Sequence, residues 1–370
     1  MSEYKNTIKK EVLKPAPLDF VLVGSGQVVD KYWLRSQIDG SANITDIISL
    51  EPERTFRQRN PDFAGTYHHS VSIDDTFTVL TSLAGEKGDL NIANVATTDI
   101  RLALTQKILQ DPQFGNTRLF IEKPYALNHQ DLELFTTLIE HYSSRLHFTE
   151  KYANGRADIL YPYLPADRSP VKITGRLIEG TEYFRVIKDR IKSEGDHPYL
   201  HDGPELDLGF HLLDIISVAS KRFGGCEELQ VREVYDLGQR IKDFEPGYGF
   251  GAILEMHTFS GNKILVDLQA GKADILTEKF IEFDYGDDVV GQEYTAGDPI
   301  DPVYELKNGR KKIIAQHKHG HNYYAEDLRP AVFCKQSPYQ QLISLFNTKI
   351  CLEIKEKRLE LLGPKTNLST

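Results

Sequence analysis

The chain has 370 residues, of which 40% are hydrophobic and 26% charged, and its net charge is -10. That length exceeds what one core fills and suits two domains, and the composition is that of a soluble globular protein, away from disordered or membrane-spanning classes. The acidic balance weighs against a surface of clustered Lys and Arg, so a small-molecule partner is expected and nucleic acid is not.

In chain order, residues 1–15 read as an N-terminal extension, lysine-rich but without an apolar stretch long enough for a signal peptide or a membrane span, so a cytoplasmic location is expected. Residues 18–24 form a short apolar strand ending in glycine, 27–38 a helix and 44–50 a second strand, with Pro52 at the first position of the next helix. The alternation continues with a helix over 76–83, a strand over 90–96, a helix over 100–110, a strand over 117–121, a helix over 130–142 and a last strand over 145–149. This rhythm predicts a doubly wound parallel sheet covered on both faces, closing a first domain over 16–150. Beyond it, over 151–370, strands at 171–178, 229–235, 251–259, 263–269 and 279–285 follow one another through short turns such as Ser260-Gly261-Asn262. They predict a mostly antiparallel sheet, with helices over 204–222, 323–334 and 338–358 covering one face.

Gly24-Ser25-Gly26 falls between the first strand and the first helix. Glycines there let the backbone turn and let phosphate oxygens approach the free N–H groups of the helix start, so Gly24, Ser25, Gly26, Gln27 and Val28 are candidate cofactor contacts. The third glycine of the usual G-x-G-x-x-G is Val29, a position that governs helix–strand packing rather than phosphate contact. At the end of the second strand two alignments stay open. Glu51 there would accept a ribose 2′-hydroxyl and select NAD, whereas Ser49 there would let Arg54 meet the 2′-phosphate of NADP. The balance leans slightly to NAD, although Glu51 also suits the N-terminus of the following helix on charge alone.

Two constellations carry chemistry. Glu122-Lys123-Pro124 follows directly on a strand, which places the Lys123 ammonium where open parallel sheets bind ligands and where it can steady an alkoxide-like oxygen; the plain alternative is a surface Glu-Lys pair. In Asp207-Leu-Gly-Phe-His211-Leu-Leu-Asp214, spacings of four and three on a helix opened by Pro204 set an imidazole between two carboxylates on one face. That arrangement suits a base removing a hydroxyl proton, and its alternative is a structural histidine. Gly209, costly in a helix interior, implies that something needs its space, with the nicotinamide or substrate as candidates.

Together these residues resemble the Gfo/Idh/MocA family, which includes glucose–fructose oxidoreductase and inositol dehydrogenase. The resemblance runs from the Gly24-Ser25-Gly26 turn to the last helices, and Glu122-Lys123-Pro124 and Asp207 through Asp214 are its most specific parts. It implies a Rossmann domain plus an α/β domain with a mostly antiparallel open sheet, Lys123, His211 and Asp207 as the catalytic group, and Ala96-Thr97-Thr98-Asp99 lining the nicotinamide, with Ala96, Thr97, Glu122 and Lys123 among the cofactor contacts. The family's frequent histidine beyond that segment is absent or replaced by Arg101. The resemblance also implies Tyr152, Asn154 and Arg156 in the substrate pocket with Lys123, Asp207 and His211, and pairing into homodimers or homotetramers. The activity it implies is hydride transfer between NAD or NADP and a hydroxyl or carbonyl carbon of a sugar, sugar derivative or cyclitol. A redox-neutral epimerase or lyase with tightly held NAD, and a dinucleotide-binding sensor without catalysis, are the competing readings.

Other features carry less. His317, His319 and His321 alternate, yet no acid or cysteine is spaced beside them, and no metal is expected. His197 and His201 precede the proposed catalytic helix, residues 307–312 read as a basic solvated turn, and Cys226, Cys334 and Cys351 read as packing residues in a reducing compartment.

Overall fold

The computed structural model describes residues 17–26, 29–34, 37, 42–149, 157–194, 202–242, 244–274, 277–294, 300–318 and 338–363. Gln27, Val28, Tyr152, Asn154, Arg156, His197, His201, His319, His321, Cys334, the extension over 1–15 and the helix read over 323–334 lie outside the described residues; of His317 only the backbone is described.

The first half alternates β1 (Leu18–Val23), β2 (Ala42–Ser49), α1 (Glu53–Arg59), β3 (Thr66–His69), α2 (Ile73–Lys87), β4 (Asn91–Asn94), α3 (Thr98–Gln110), β5 (Arg118–Glu122), α4 (His129–Tyr142) and β6 (Leu146–Thr149). Its six strands pair in the order β3-β2-β1-β4-β5-β6, all parallel. The strand order reverses between β1 and β4, and the carboxyl ends of those strands open the crevice where such sheets take ligands. Alternate residues of β1 feed opposite faces. Val21 and Val23 join the larger core, while Phe20 and Leu22 join Trp33, Phe56 and Phe120 on the other side. Two reciprocal caps start helices on the covering faces: Ser72 accepts from Asp75 N while Asp75 accepts from Val71 N, and Asn128 and Asp131 repeat the device at α4.

The second half contributes β7 (Lys172–Glu179), α5 (Thr181–Glu194), α6 (Phe210–Ser220), β8 (Cys226–Asp236), β9 (Gly249–Thr258), β10 (Lys263–Lys272), β11 (Glu278–Asp284), β12 (Asp288–Glu293), β13 (Ile300–Lys307), β14 (Arg310–Lys318) and α7 (Pro338–Leu362). Its eight strands run β14-β13-β12-β11-β7-β10-β9-β8, antiparallel except for β7 against β10. The Ser260-Gly261-Asn262 turn joins β9 to β10 as expected, with Gly261 at φ 81. One hydrophobic core spans both sheets, from Val21, Ile92 and Ile121 to Leu212, Phe250, Leu268 and Leu352. The helix α7 reaches both layers: Gln341 donates to the Ser143 carbonyl beside β6, and Lys357 to the Val231 carbonyl in β8.

The structure corrects several expectations. The strands β3, β12, β13 and β14 and the helix α5 were not anticipated. Pro52 caps α1 rather than opening it, with Glu53 as the first helical residue. Within the helix read over 27–38, Val29–Trp33 is a π-helix whose first residue, Val29, is fully buried. Cys351 is buried and Cys226 half-buried, and burial pushes both thiols above their ordinary range.

Candidate active site

The glycine turn is shaped by its neighbours. Gly24 has φ 110, and a Cβ on it would lie 3.0 Å from Val95 O and Ala96 N, so both its conformation and the approach of the β4 end demand glycine. At Gly26 a Cβ would meet no other described residue within 4 Å, and Val29 N and Asp30 N bond its carbonyl at 2.9 and 3.3 Å. Among the described residues the turn leaves open space at Gly26, as a pyrophosphate cradle requires.

Beside it, Ser25, Ser49 and Glu51 close a ring of hydrogen bonds. The Ser25 hydroxyl donates to Glu51 Oε2 at 2.6 Å, which leaves Ser49, 2.7 Å away, to donate to Ser25, while Glu51 N donates to Ser49 Oγ at 3.1 Å. Ser49 is thus an internal strut, and Glu51 is the carboxylate that reaches the glycine turn. Arg54 is exposed on the first turn of α1. The arginine that meets Glu51 is instead Arg59, at the other end of that helix, which pairs with both Glu51 oxygens and also donates to Ser25 O at 2.9 Å and Asp30 Oδ2 at 2.9 Å.

Lys123 stands where β5 ends, and its segment is held from below by Arg101. This buried guanidinium donates to the Glu122 carbonyl, to Pro124 O at 2.7 Å and to Ala96 O at 3.1 Å, strapping together the loops after β4 and β5; the Lys123–Pro124 peptide is cis. Ala96 and Thr97 lie on that crevice edge, Thr97 exposed as the residue capping α3, and Glu122 is buried.

Across the crevice, Lys123 Nζ donates to Asp207 Oδ1 at 2.6 Å and to the Asp207 carbonyl at 2.7 Å. The other carboxylate oxygen accepts from Lys272 Nζ at 2.8 Å, and Lys272 lies 3.8 Å from Glu179, which Lys279 bonds at 3.1 Å. Burial acts most strongly on Asp207 and pushes its pKa up, but Lys123 and Lys272 together outweigh it and hold the carboxyl well below the ordinary range. Burial likewise pulls Lys123 down, and Asp207 more than compensates, so the ammonium stays charged. Asp202, one turn before Asp207, is pushed up to about 6 by burial and then by the Asp207 charge.

His211 sits on α6, buried, its ring 6.3 Å from that of Phe210. Phe210 packs edge-on against Tyr125 at 5.5 Å, so the start of α6 is tied to the segment of Lys123 by ring packing as well as by the ion pair. The expectation of one shared face for Asp207, His211 and Asp214 needs correction. Asp207 belongs to a π-helix, Glu205–Gly209, whose wider turn alters the angular step before α6 begins, and the two acids have separate partners. Gly209 is explained by Phe250, not by cofactor or substrate: a Cβ would lie 2.6 and 2.9 Å from two atoms of that buried ring.

Asp214 turns to α7. Its Oδ1 accepts from Asn347 Nδ2 at 2.6 Å, Ser217 supports Asn347 at 2.9 Å, and Oδ2 has no hydrogen-bond partner among the described residues. Burial raises this carboxyl from 3.8 to about 8, against smaller opposing effects of Asn347 and Lys123, so it is protonated at neutral pH. A folded value above the unfolded one means that the stability it contributes is full below about pH 4 and is lost as pH rises through about 8. Asp214→Asn, which copies the neutral form, is expected to gain stability over the parent across that range, read as the difference in urea midpoints at about pH 5 and about pH 8. Identical pH dependence in the two proteins would remove Asp214 as its source.

The sequence reading missed Lys272, Glu179, Lys279 and Arg59, and it saw Arg101 only as a replaced histidine. Among the described residues no group of three or more His, Cys, Asp or Glu is arranged to hold a metal, and no helix is long and apolar enough to cross a membrane.

No protein-family model and no curated protein matches the chain. Solved structures do. KijD10, a 3-ketoreductase from Actinomadura kijaniata, in complex with TDP-benzene and NADP in an open conformation, is 14% identical with a TM-score of 0.65, the match covering 92% of this chain and 98% of that one. UDP-N-acetylglucosamine 3-dehydrogenase GnnA from Acidithiobacillus ferrooxidans is 11% identical with a TM-score of 0.63, over 92% of this chain and 97% of that one. At these identities the likeness is one of fold.

Proposed function

We propose that the chain is an oxidoreductase that moves a hydride between NAD or NADP and a hydroxyl-bearing carbon of a sugar, sugar derivative or cyclitol. The observation that carries this reading is the Lys123–Asp207 pair, which joins the carboxyl end of β5, two strands along the parallel sheet from the glycine turn, to the helical segment bearing His211. Residues 16–150 hold the dinucleotide in this reading and residues 151–370 the substrate. The fold shared with a 3-ketoreductase and a 3-dehydrogenase is consistent with it.

A nicotinamide dinucleotide, when bound by the glycine turn, would supply the hydride acceptor or donor. In the oxidative direction the substrate carbon loses a hydride and its hydroxyl loses a proton, leaving a carbonyl. His211 takes the proton and passes it to solvent, and the Lys123 ammonium hydrogen-bonds the same oxygen and stabilises its developing negative charge. Asp207 keeps Lys123 charged and aimed while Lys272 holds Asp207 from the far side. Glu51 at the adenosine end favours NAD, since a carboxylate accepts the ribose 2′-hydroxyl and repels a 2′-phosphate.

The test is direct. Titration with each dinucleotide, followed by a panel of sugars, sugar phosphates, nucleotide sugars and cyclitols, is expected to give binding and then a substrate-dependent change in nicotinamide absorbance. Absence of dinucleotide binding would refute the reading, and substrate conversion with no net absorbance change would replace it with a redox-neutral one.

A further inference from the structure

We infer that Arg59 is a 2′-phosphate receptor held in reserve, latched shut by Glu51, so that cofactor choice in this chain rests on a single ion pair. The inference builds on the dinucleotide site proposed above. The guanidinium lies against the outer side of the glycine turn: it donates to Ser25 O at 2.9 Å within that turn, to Asp30 Oδ2 at 2.9 Å one residue into the helix that follows, and to both oxygens of Glu51 at the end of β2. Those anchors are the glycine turn, the helix that follows it and the end of β2, and together they hold the arginine from three sides. Asn60 adds to the clamp by donating to Asp30 Oδ1 at 2.7 Å, and Tyr67 fixes the Glu51 backbone by donating to its carbonyl at 2.7 Å.

With Glu51 in place the local charge is one cation against two carboxylates, an arrangement that accepts a ribose hydroxyl and disfavours a phosphate carrying nearly two negative charges. Two of the guanidinium nitrogens, Nη1 and Nη2, are the ones spent on Glu51. Removing that carboxylate frees one N–H on each of Nη1 and Nη2, a planar two-donor fork beside the ribose position that matches a phosphate, while Nε keeps its bond to Asp30 and Nη2 its bond to Ser25 O, and with them the side chain its orientation.

Binding of NADH and NADPH to the full chain, followed by calorimetry or nucleotide fluorescence without substrate, tests this. The parent protein is expected to bind NADH more tightly than NADPH. Glu51→Ser is expected to raise NADPH affinity by about tenfold or more and to lower NADH affinity. The more conservative Glu51→Gln should move both affinities in the same directions by less. Adding Arg59→Met to Glu51→Ser should abolish the NADPH gain. Tighter NADPH than NADH binding by the parent, no NADPH gain in either Glu51 variant, or a gain that survives loss of Arg59 would each overturn the latch. If the parent binds neither dinucleotide, the functional reading beneath it fails as well.

Discussion

Replacing Lys123 by methionine is expected to lower kcat by about a thousandfold while the dinucleotide still binds, because the proposed mechanism sets this ammonium on the reacting oxygen and not on the phosphates. The side chain bridges the two halves of the crevice at 2.6 Å to the Asp207 carboxylate, and methionine keeps its length but carries no charge and no donor. The loss should fall mainly on kcat, since the interaction strengthens as negative charge grows on the substrate oxygen. His211→Ala should be as damaging, and the double variant little worse than either single one, as expected for groups serving one transfer step. Near-normal turnover in both single variants would reject the mechanism. A loss of dinucleotide binding parallel to the loss of turnover would mark Lys123 as a structural strut.

The second large effect concerns folding. Arg358 of α7 is buried and makes a two-pronged pair with the fully buried Glu205, with one nitrogen also 3.2 Å from Gly247 O and 3.4 Å from Asp236 Oδ2. Arg358→Met leaves the Glu205 carboxylate without its cation in a site that water does not reach, and such stranded charges cost about 3–5 kcal/mol. Asp236 fares better, because it also accepts from Gly238 N and Gly247 N. Adding Glu205→Gln should return much of the loss, since a neutral amide is far cheaper to bury than an unpaired carboxylate. Equilibrium urea unfolding measures both steps, and a change below about 1 kcal/mol for Arg358→Met would show that the pair contributes little. Glu205 opens the π-helix that carries Asp207, so the same variant should also lower kcat before the protein unfolds.

What could be read from the sequence was local. The glycine turn, the Glu-Lys-Pro segment and the helix of His211 announce themselves through residue types whose physics acts within a few positions, and the alternation of strands and helices placed them in the correct half of the molecule. The strand β3 was invisible because in four residues only Tyr67 is buried, too short a run for any period to emerge. In β13 Pro302 argues against a strand, although Asn308-Gly309, with φ 51 and 72, is the turn that a tight hairpin demands and was a usable signal for β13 and β14. Lys272, Glu179 and Lys279 also left a trace. They occupy inward positions in strands whose other inward residues are Val266, Leu268 and Ala270, Ile173 and Leu177, and Ile281 and Phe283, so three charges break an apolar pattern at one end of the sheet. Arg59 left none, because its meeting with Glu51 depends on where the last turn of α1 lands. The π-helix at Glu205–Gly209 defeated the facing argument for Asp214 for a related reason, since spacing rules assume a uniform turn.

The anchoring of α7 to both layers bears on when, and not only how, this crevice comes into being. During synthesis the parallel sheet emerges long before Arg358, and domains fold as they leave the ribosome from the N-terminal end. Until the closing helix arrives, the segment bearing Asp207 lacks the partner of its buried Glu205, so the glycine turn can form while Lys123 still lacks its settled Asp207 anchor. In the proposed reading, competence to bind the dinucleotide therefore precedes competence to turn over substrate.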